Sequence, residues 1–149
     1  MNNILKILAV ILLCQGCSYE PILKNKLYDF KFISISSSGE KGVNEIIKTY
    51  LKSKASGEKK YSINIVSEEI REIVSSDTKG DPKIYKLKII VNYDLLEDEK
   101  IIYKNKLVNQ ATYNNISDKY ELSLYEQNLL KSLSKNISDE ILFSIKIIN

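Results

Sequence analysis

The residues Leu12-Leu13-Cys14-Gln15-Gly16-Cys17 close an N-terminal apolar run, and their types fit one chemistry, cleavage before Cys17 followed by lipidation of that residue. Lys6 gives the opening region its positive charge, Ile7 to Leu13 is apolar throughout, and the small Gly16 stands immediately before Cys17. The run falls short of the about 20 apolar residues that a helix needs to cross a bilayer. Modification at Cys14 instead would put bulky Leu13 where a small side chain is needed. Cys17 is therefore expected to carry an S-diacylglycerol and an N-acyl chain, with no other cofactor. At about 0.8 kcal/mol per buried CH₂, several chains hold a protein on a membrane where one chain holds it only marginally. The usual pattern has Leu three places before the cysteine, where this chain has Cys14. On this reading residues 1–16 are a signal peptide, 17–26 a lipidated tether and 27–149 one domain.

Other chemistries are excluded by what is missing. The chain of 149 residues has no histidine, which removes Ser-His-Asp and Cys-His triads, His-ligated zinc and imidazole acid/base work. Its five glycines are scattered without a Gly-x-Gly spacing, so there is no phosphate-cradling loop. Carboxylates cluster at Glu68, Glu69 and Glu72 and at Glu97, Asp98 and Glu99, but both groups sit at strand ends or turn signals and read as solvated charge. No catalytic residue and no metal site is expected, and the chain is read as not being an enzyme. A net charge of +3 is too slight to imply nucleic acid as a partner. Of the two cysteines, Cys14 would leave with the signal peptide and Cys17 would become a thioether, so packing alone must stabilise the domain.

The elements follow from periodicity. Tyr28, Phe30, Phe32, Ile33 and Ile35 mark a first strand over Leu27–Ile35, which Ser36-Ser37-Ser38-Gly39 is expected to end. Val43, Ile46, Ile47, Tyr50 and Leu51 form one apolar stripe of a helix that Gly57 is expected to terminate. Tyr61, Ile63 and Ile65 begin a second strand that continues through Val66 and Ile70 and twists or bulges before Val74. After the turn residues Ser75 to Pro82, Tyr85, Leu87, Ile89, Val91 and Tyr93 alternate with polar residues in a third strand with one wet side. Glu97-Asp98-Glu99-Lys100 reads as a hairpin turn into a fourth, antiparallel strand over Ile101–Tyr113, with Tyr103, Leu107, Ala111 and Tyr113 sharing parity. A last helix of about six turns carries Leu122, Leu129, Leu133, Ile137, Ile141 and Ile145. The order β-α-β-β-β-α predicts an α+β two-layer sandwich, a four-stranded mainly antiparallel sheet with both helices packed on one face.

Four lysines, Lys86 and Lys88 on the third strand and Lys104 and Lys106 on the fourth, stand at i, i+2 spacing and are expected on the sheet face away from the helices. With Arg71, the only arginine, and Lys83 they would form a cationic strip suited to phosphate and carboxylate groups. The plainer reading is that strand lysines keep an exposed face soluble and guard it against edge pairing. Among ten tyrosines, Tyr85, Tyr93, Tyr103 and Tyr113 share parity with the core and are expected to finish it with their hydroxyls at the rim. Tyr19 and Pro21, beside Cys17, suit contact with a membrane interface or a barrel.

Through the mature chain the sequence resembles the LptE family of lipopolysaccharide-assembly lipoproteins, in their divergent alphaproteobacterial form. The resemblance rests on Cys17-Ser18-Tyr19-Glu20-Pro21-Ile22-Leu23, on the strand ending in Tyr93 before an acidic turn, on Tyr113 followed by Asp118-Lys119-Tyr120, and on the closing helix from Glu126 to Ile145. The family usually has Gly where Ser18 stands, and a closing helix rich in Ala and Arg where this one has Ser, Asn and Lys. The resemblance implies an outer-membrane lipoprotein facing the periplasm, since lipoproteins similar to this one stay at the inner membrane mainly when Asp follows the cysteine. It further implies a plug inside an LptD-like β-barrel that helps the barrel assemble and binds lipopolysaccharide in transit; the cationic strip read from spacing, Arg71, Lys83, Lys86, Lys88, Lys104 and Lys106, is the candidate surface for that glycolipid. The alternative is an unrelated envelope lipoprotein acting as a ligand-binding or scaffolding module, which a deep pocket between helices and sheet would favour.

Overall fold

In the computed structural model, which describes residues 28–148, the chain runs as β1 (Tyr28–Gly39), α1 (Lys41–Lys54), β2 (Ala55–Ser76), β3 (Pro82–Glu97), β4 (Lys100–Asn114) and α2 (Lys119–Ile148). The signal peptide, Cys17 and the tether with Tyr19 and Pro21 lie outside the described residues. The sheet order is β1-β2-β3-β4. The α1 crossover makes β1 and β2 parallel, whereas β2–β3 and β3–β4 are antiparallel. Such a crossover is what a parallel neighbour requires, since a tight turn can only reverse the chain. The predicted α+β sandwich is therefore the observed one, with a mixed sheet. No helix among the described residues is long and apolar enough to cross a membrane.

Both helices cover the same face, α1 over β1 and β2 and α2 over β3 and β4. Between the layers Ile47, Leu51, Ile63, Ile65, Ile89, Val91, Leu95, Ile137 and Ile141 are buried. In β3 the buried residues are Leu87, Ile89, Val91, Tyr93 and Leu95, the period-two face that alternation predicts. Leu130, Ser134 and Ser138 fall four apart along α2, and the Leu130 side chain closes on Gly42 of α1, so small residues let the helices approach. Tyr93 and Tyr113 are buried in the core and Tyr85 and Tyr103 pack half-buried against it, as their shared parity predicts. The Tyr93 hydroxyl is 2.6 Å from Ser144 Oγ, and that of Tyr113 donates to Glu126 Oε1 at 2.6 Å. Burial raises the pKa of both phenols, and the bond to Glu126 adds to the effect at Tyr113.

Four boundaries differ from the sequence expectation, and one is the start of β2, which lies at Ala55 and not Tyr61 because β1 pairs with the residues between. Ser36 to Gly39 do not end β1 but pair with Asn64 to Ser67, because β2 supplies a partner along that length. The chain then turns at once into α1, with Gly39 at φ +90, and a β-carbon added there would collide with the Ser67 carbonyl, so no side chain fits. Gly57 does not end α1. The helix stops at Lys54 and Ala55 is already extended, its N–H donating to the Leu51 carbonyl, so no left-handed cap is needed. α2 is also longer than six turns, with 30 residues spanning about 45 Å. The bulge expected before Val74 is present as a register shift between Ile73 and Ser75.

The β3–β4 hairpin turns on Asp98 (φ 47) and Glu99 (φ 64), both left-handed without being glycine. That pair of angles is the I′ turn, which suits the right-handed twist of the strands but costs L-residues about 1 kcal/mol or more each. Glu99→Gly is expected to stabilise the domain by about 1 kcal/mol. An unchanged or lower midpoint in urea would count against this account of the turn.

Candidate functional site

The sheet face away from the helices is uncovered. Because strand side chains alternate, it is lined by the even-numbered residues of β3 and β4 and, by register, their even-numbered partners on β2. Lys86 pairs across the strands with Glu72 and Thr112, Lys88 with Ile70 and Gln110, Asn92 with Val66 and Lys106, and Asp94 with Asn64 and Lys104. The four strand lysines therefore share one face, as their spacing predicts. Between them lie Val66, Ile70, Ile90 and Val108, of which Val66 and Val108 are about half exposed, at 52% and 49%. Ammonium groups beside exposed aliphatic surface complement an anionic amphiphile.

The lysines are not equivalent. Lys86 Nζ is 2.5 Å from Glu72 Oε2, and Lys88 Nζ is 3.9 Å from Glu72 Oε1. The bond from Lys86 holds the Glu72 carboxyl below its ordinary pKa. Lys104 Nζ lies 3.3 Å from Asp94 Oδ2. Lys106 has no carboxylate within ion-pair distance among the described residues. Glu72 and Asp94 thus neutralise part of the cluster and leave Lys88 and Lys106 the most available.

Arg71 and Lys83 do not join the strip. Arg71 stands opposite Leu87 in the register, on the helix-side face, where it is ion-paired with Glu126 of α2. Glu126 also accepts from Tyr113, so the arginine ties β2 to α2 through a carboxylate that two donors share. Lys83 has the same odd parity as Leu87 and lies at the start of β3, where its carbonyl accepts from the Asn115 N–H at 2.8 Å. The reason is parity, since residues an odd number apart on a strand point to opposite faces. Spacing along β3 and β4 showed the four-lysine set, whereas grouping all six needed the β2 register, which a sequence does not display.

The carboxylate clusters are dispersed by the same rule. Glu68 and Glu72 face outward, Glu69 faces the helix side with burial raising its pKa, and Asp98 and Glu99 form the hairpin turn. Among the described residues no group of three or more His, Cys, Asp or Glu could hold a metal ion. Two cavities are present, one away from the open face and one at its end, where Ile84 and Asn114 line it. One, of about 330 Å³, lies between the outer surfaces of α1 and α2 and is lined by Ile46, Thr49, Tyr50, Lys131 and Lys135. The other, of about 570 Å³, sits beside the β2–β3 turn against Asp77, Pro82, Lys83 and Asn115.

No protein-family model and no curated protein sequence matches the chain. Solved structures do match. Rare lipoprotein B from Shewanella oneidensis superposes with a TM-score of 0.59 at 16% identity, over 75% of this chain and 92% of that one. A minor lipoprotein from Acinetobacter baumannii gives 0.61 at 15% identity, over 80% and 92%. The solution structure of lipoprotein B from Nitrosomonas europaea gives 0.63 at 13% identity, over 85% and 90%. At such identities the likeness is one of fold, and the described domain has the fold of these lipoprotein structures.

Proposed function

We propose that the chain is an envelope lipoprotein anchored through Cys17 at the outer membrane, where its domain plugs and helps assemble an LptD-like β-barrel and assists passage of lipopolysaccharide. No covalent chemistry is assigned to it. The observation that carries this reading is the uncovered sheet face, with Lys86, Lys88, Lys104 and Lys106 around exposed Val66 and Val108 and half-buried Ile70 and Ile90, on a domain with the fold of rare lipoprotein B. The lysines would receive phosphate and carboxylate groups of the glycolipid, and the aliphatic residues its apolar part. Support also comes from the residues around Cys17, which have the form of a lipidation site.

A second reading, an unrelated ligand-binding lipoprotein, draws on the groove between α1 and α2, whose volume falls at the lower end for small-molecule sites. That groove lies outside the packed layer between helices and sheet. Affinity purification from outer membranes with a C-terminal tag, followed by mass spectrometry, separates the two. Recovery of an outer-membrane barrel in about equal amount is the expected result. Its absence, with the lipidated protein intact in the same membranes, would overturn the plug and favour the ligand-binding module.

A further inference from the structure

The groove between α1 and α2 is mostly apolar, and nothing among the described residues covers it. The two helices run parallel, since the Leu130 side chain closes on Gly42 at one level and the Tyr50 hydroxyl donates to Asp139 Oδ1 at 2.8 Å at another. Between those levels half-buried Ile46 and Tyr50 supply the apolar surface. On the α2 wall Lys131 and Lys135 stand one turn apart. Neither has a carboxylate within ion-pair distance among the described residues. One turn further along, Asp139 reverses the sign of that wall.

The described chain begins at the Asp139 end of this groove. Tyr28 pairs with Ala55, the residue that follows the last of α1. Burial raises the pKa of the Tyr28 phenol, and the nearby charge of Asp139, which accepts from Tyr50, raises it further. Both phenols therefore stand beside one carboxylate. Ten residues, Ser18 to Leu27, separate Tyr28 from Cys17. Three of them in succession, Pro21, Ile22 and Leu23, are apolar, with one acid before them, Glu20, and two bases after them, Lys24 and Lys26.

We propose that this segment folds back into the groove, with Pro21, Ile22 and Leu23 against Ile46 and Tyr50, Glu20 between Lys131 and Lys135, and Lys24 and Lys26 beside Asp139. In this order each charge of the segment meets its opposite on α2. The lengths agree as well. From Asp139 back to Lys131 the helix rises about 12 Å, which four extended residues at about 3.3 Å each span. Leu23 back to Glu20 are those four, and residues 24–27 remain to reverse the chain out of β1. Because the segment is joined to the domain, its effective concentration is in the millimolar range, and contacts too weak to hold a free peptide keep it seated.

The seat takes one copy of the chain and leaves the open sheet face free, so it is independent of what that face binds. It closes the groove to the small ligand of the second reading. It also decides which end of the domain the lipid holds. Cys17, three residues beyond Glu20, emerges about 10 Å further towards the first turn of α2. That is the end with the β2–β3 turn, where Asn115 bonds to Pro82 and Lys83. In a domain that plugs a barrel, the lipid then holds this end at the periplasmic mouth.

The test uses the full chain in membranes under mild oxidation, with disulfide yields read above those of each single substitution, which accounts for Cys17. Ile22→Cys combined with Thr49→Cys should form an intrachain disulfide, because Thr49 lines the groove at the level that Ile22 reaches. Ile22→Cys combined with Lys31→Cys should not. Lys31 is exposed on β1, three residues from Tyr28, and within reach of a segment that has no seat. Glu20→Lys should cut the yield with Thr49→Cys about threefold, and adding Lys131→Glu and Lys135→Glu should restore it. Equal yields with Thr49→Cys and Lys31→Cys, or a yield with Thr49→Cys that Glu20→Lys leaves unchanged, would each overturn the proposal.

Discussion

Gly57→Ala is expected to destabilise the domain by about 3 kcal/mol or more, a large effect for the addition of one methyl group. A β-carbon at this position would stand 2.0 Å from the Asp29 carbonyl carbon, 2.3 Å from its oxygen and 2.3 Å from the Phe30 nitrogen. Those are backbone atoms of the adjacent strand, held by pairings of Tyr28 with Ala55 and Phe30 with Lys59 on either side, so no side-chain rotation relieves the clash. The strands must separate, and Phe30, which is buried against Tyr61, then loses its packing. Denaturant unfolding of the full chain measures the effect. A loss under 1 kcal/mol would mean that β1 is free to shift in register there. Gly42→Ala is the control, because a β-carbon there meets only the Leu130 side chain at an ordinary 3.6 Å. It should be neutral or slightly stabilising through helix propensity.

Gly57 also shows where a sequence stops being legible. A glycine some residues after an amphipathic stripe has the pattern of a helix cap, and nothing local separates that role from close approach of a neighbouring strand. The distinction depends on Asp29, almost thirty residues away. Elements whose signal is local were legible. The alternation in β3, the two helix stripes and the acidic hairpin gave the element order and the helix-side face, and Leu87 to Leu95 and Ile137 to Ile145 are buried as their periods require. Elements that depend on pairing were not. The serines of β1 carry no strand propensity and remain extended because β2 runs beside them, and Arg71 left the lysine strip because the register of β2 against β3 sets its parity.

On the proposed function, replacing Lys88 and Lys106 together by glutamine is expected to weaken binding of purified lipopolysaccharide by about 10- to 100-fold, as the loss of two charge-assisted contacts would. Lys86→Gln should cost about threefold or less, because Lys86 already spends its charge on Glu72, at 2.5 Å. The same geometry gives an opposite sign elsewhere, since Glu72→Gln releases both Lys86 and Lys88 and should strengthen binding. Protonation of Glu72 has the same effect as that substitution. Its pKa is depressed in the folded protein, so its contribution to stability is present above the ordinary carboxylate range and is lost as pH falls through the depressed value. Over that window the difference in affinity between the Glu72→Gln protein and the unsubstituted one should close. Arg71→Gln should leave binding unchanged, because Arg71 lies on the helix side with its charge committed to Glu126. If it weakens glycolipid binding as much as the Lys88 and Lys106 pair does, with the fold intact by circular dichroism, the ligand contacts the helix side and the open sheet face is left to solubility alone.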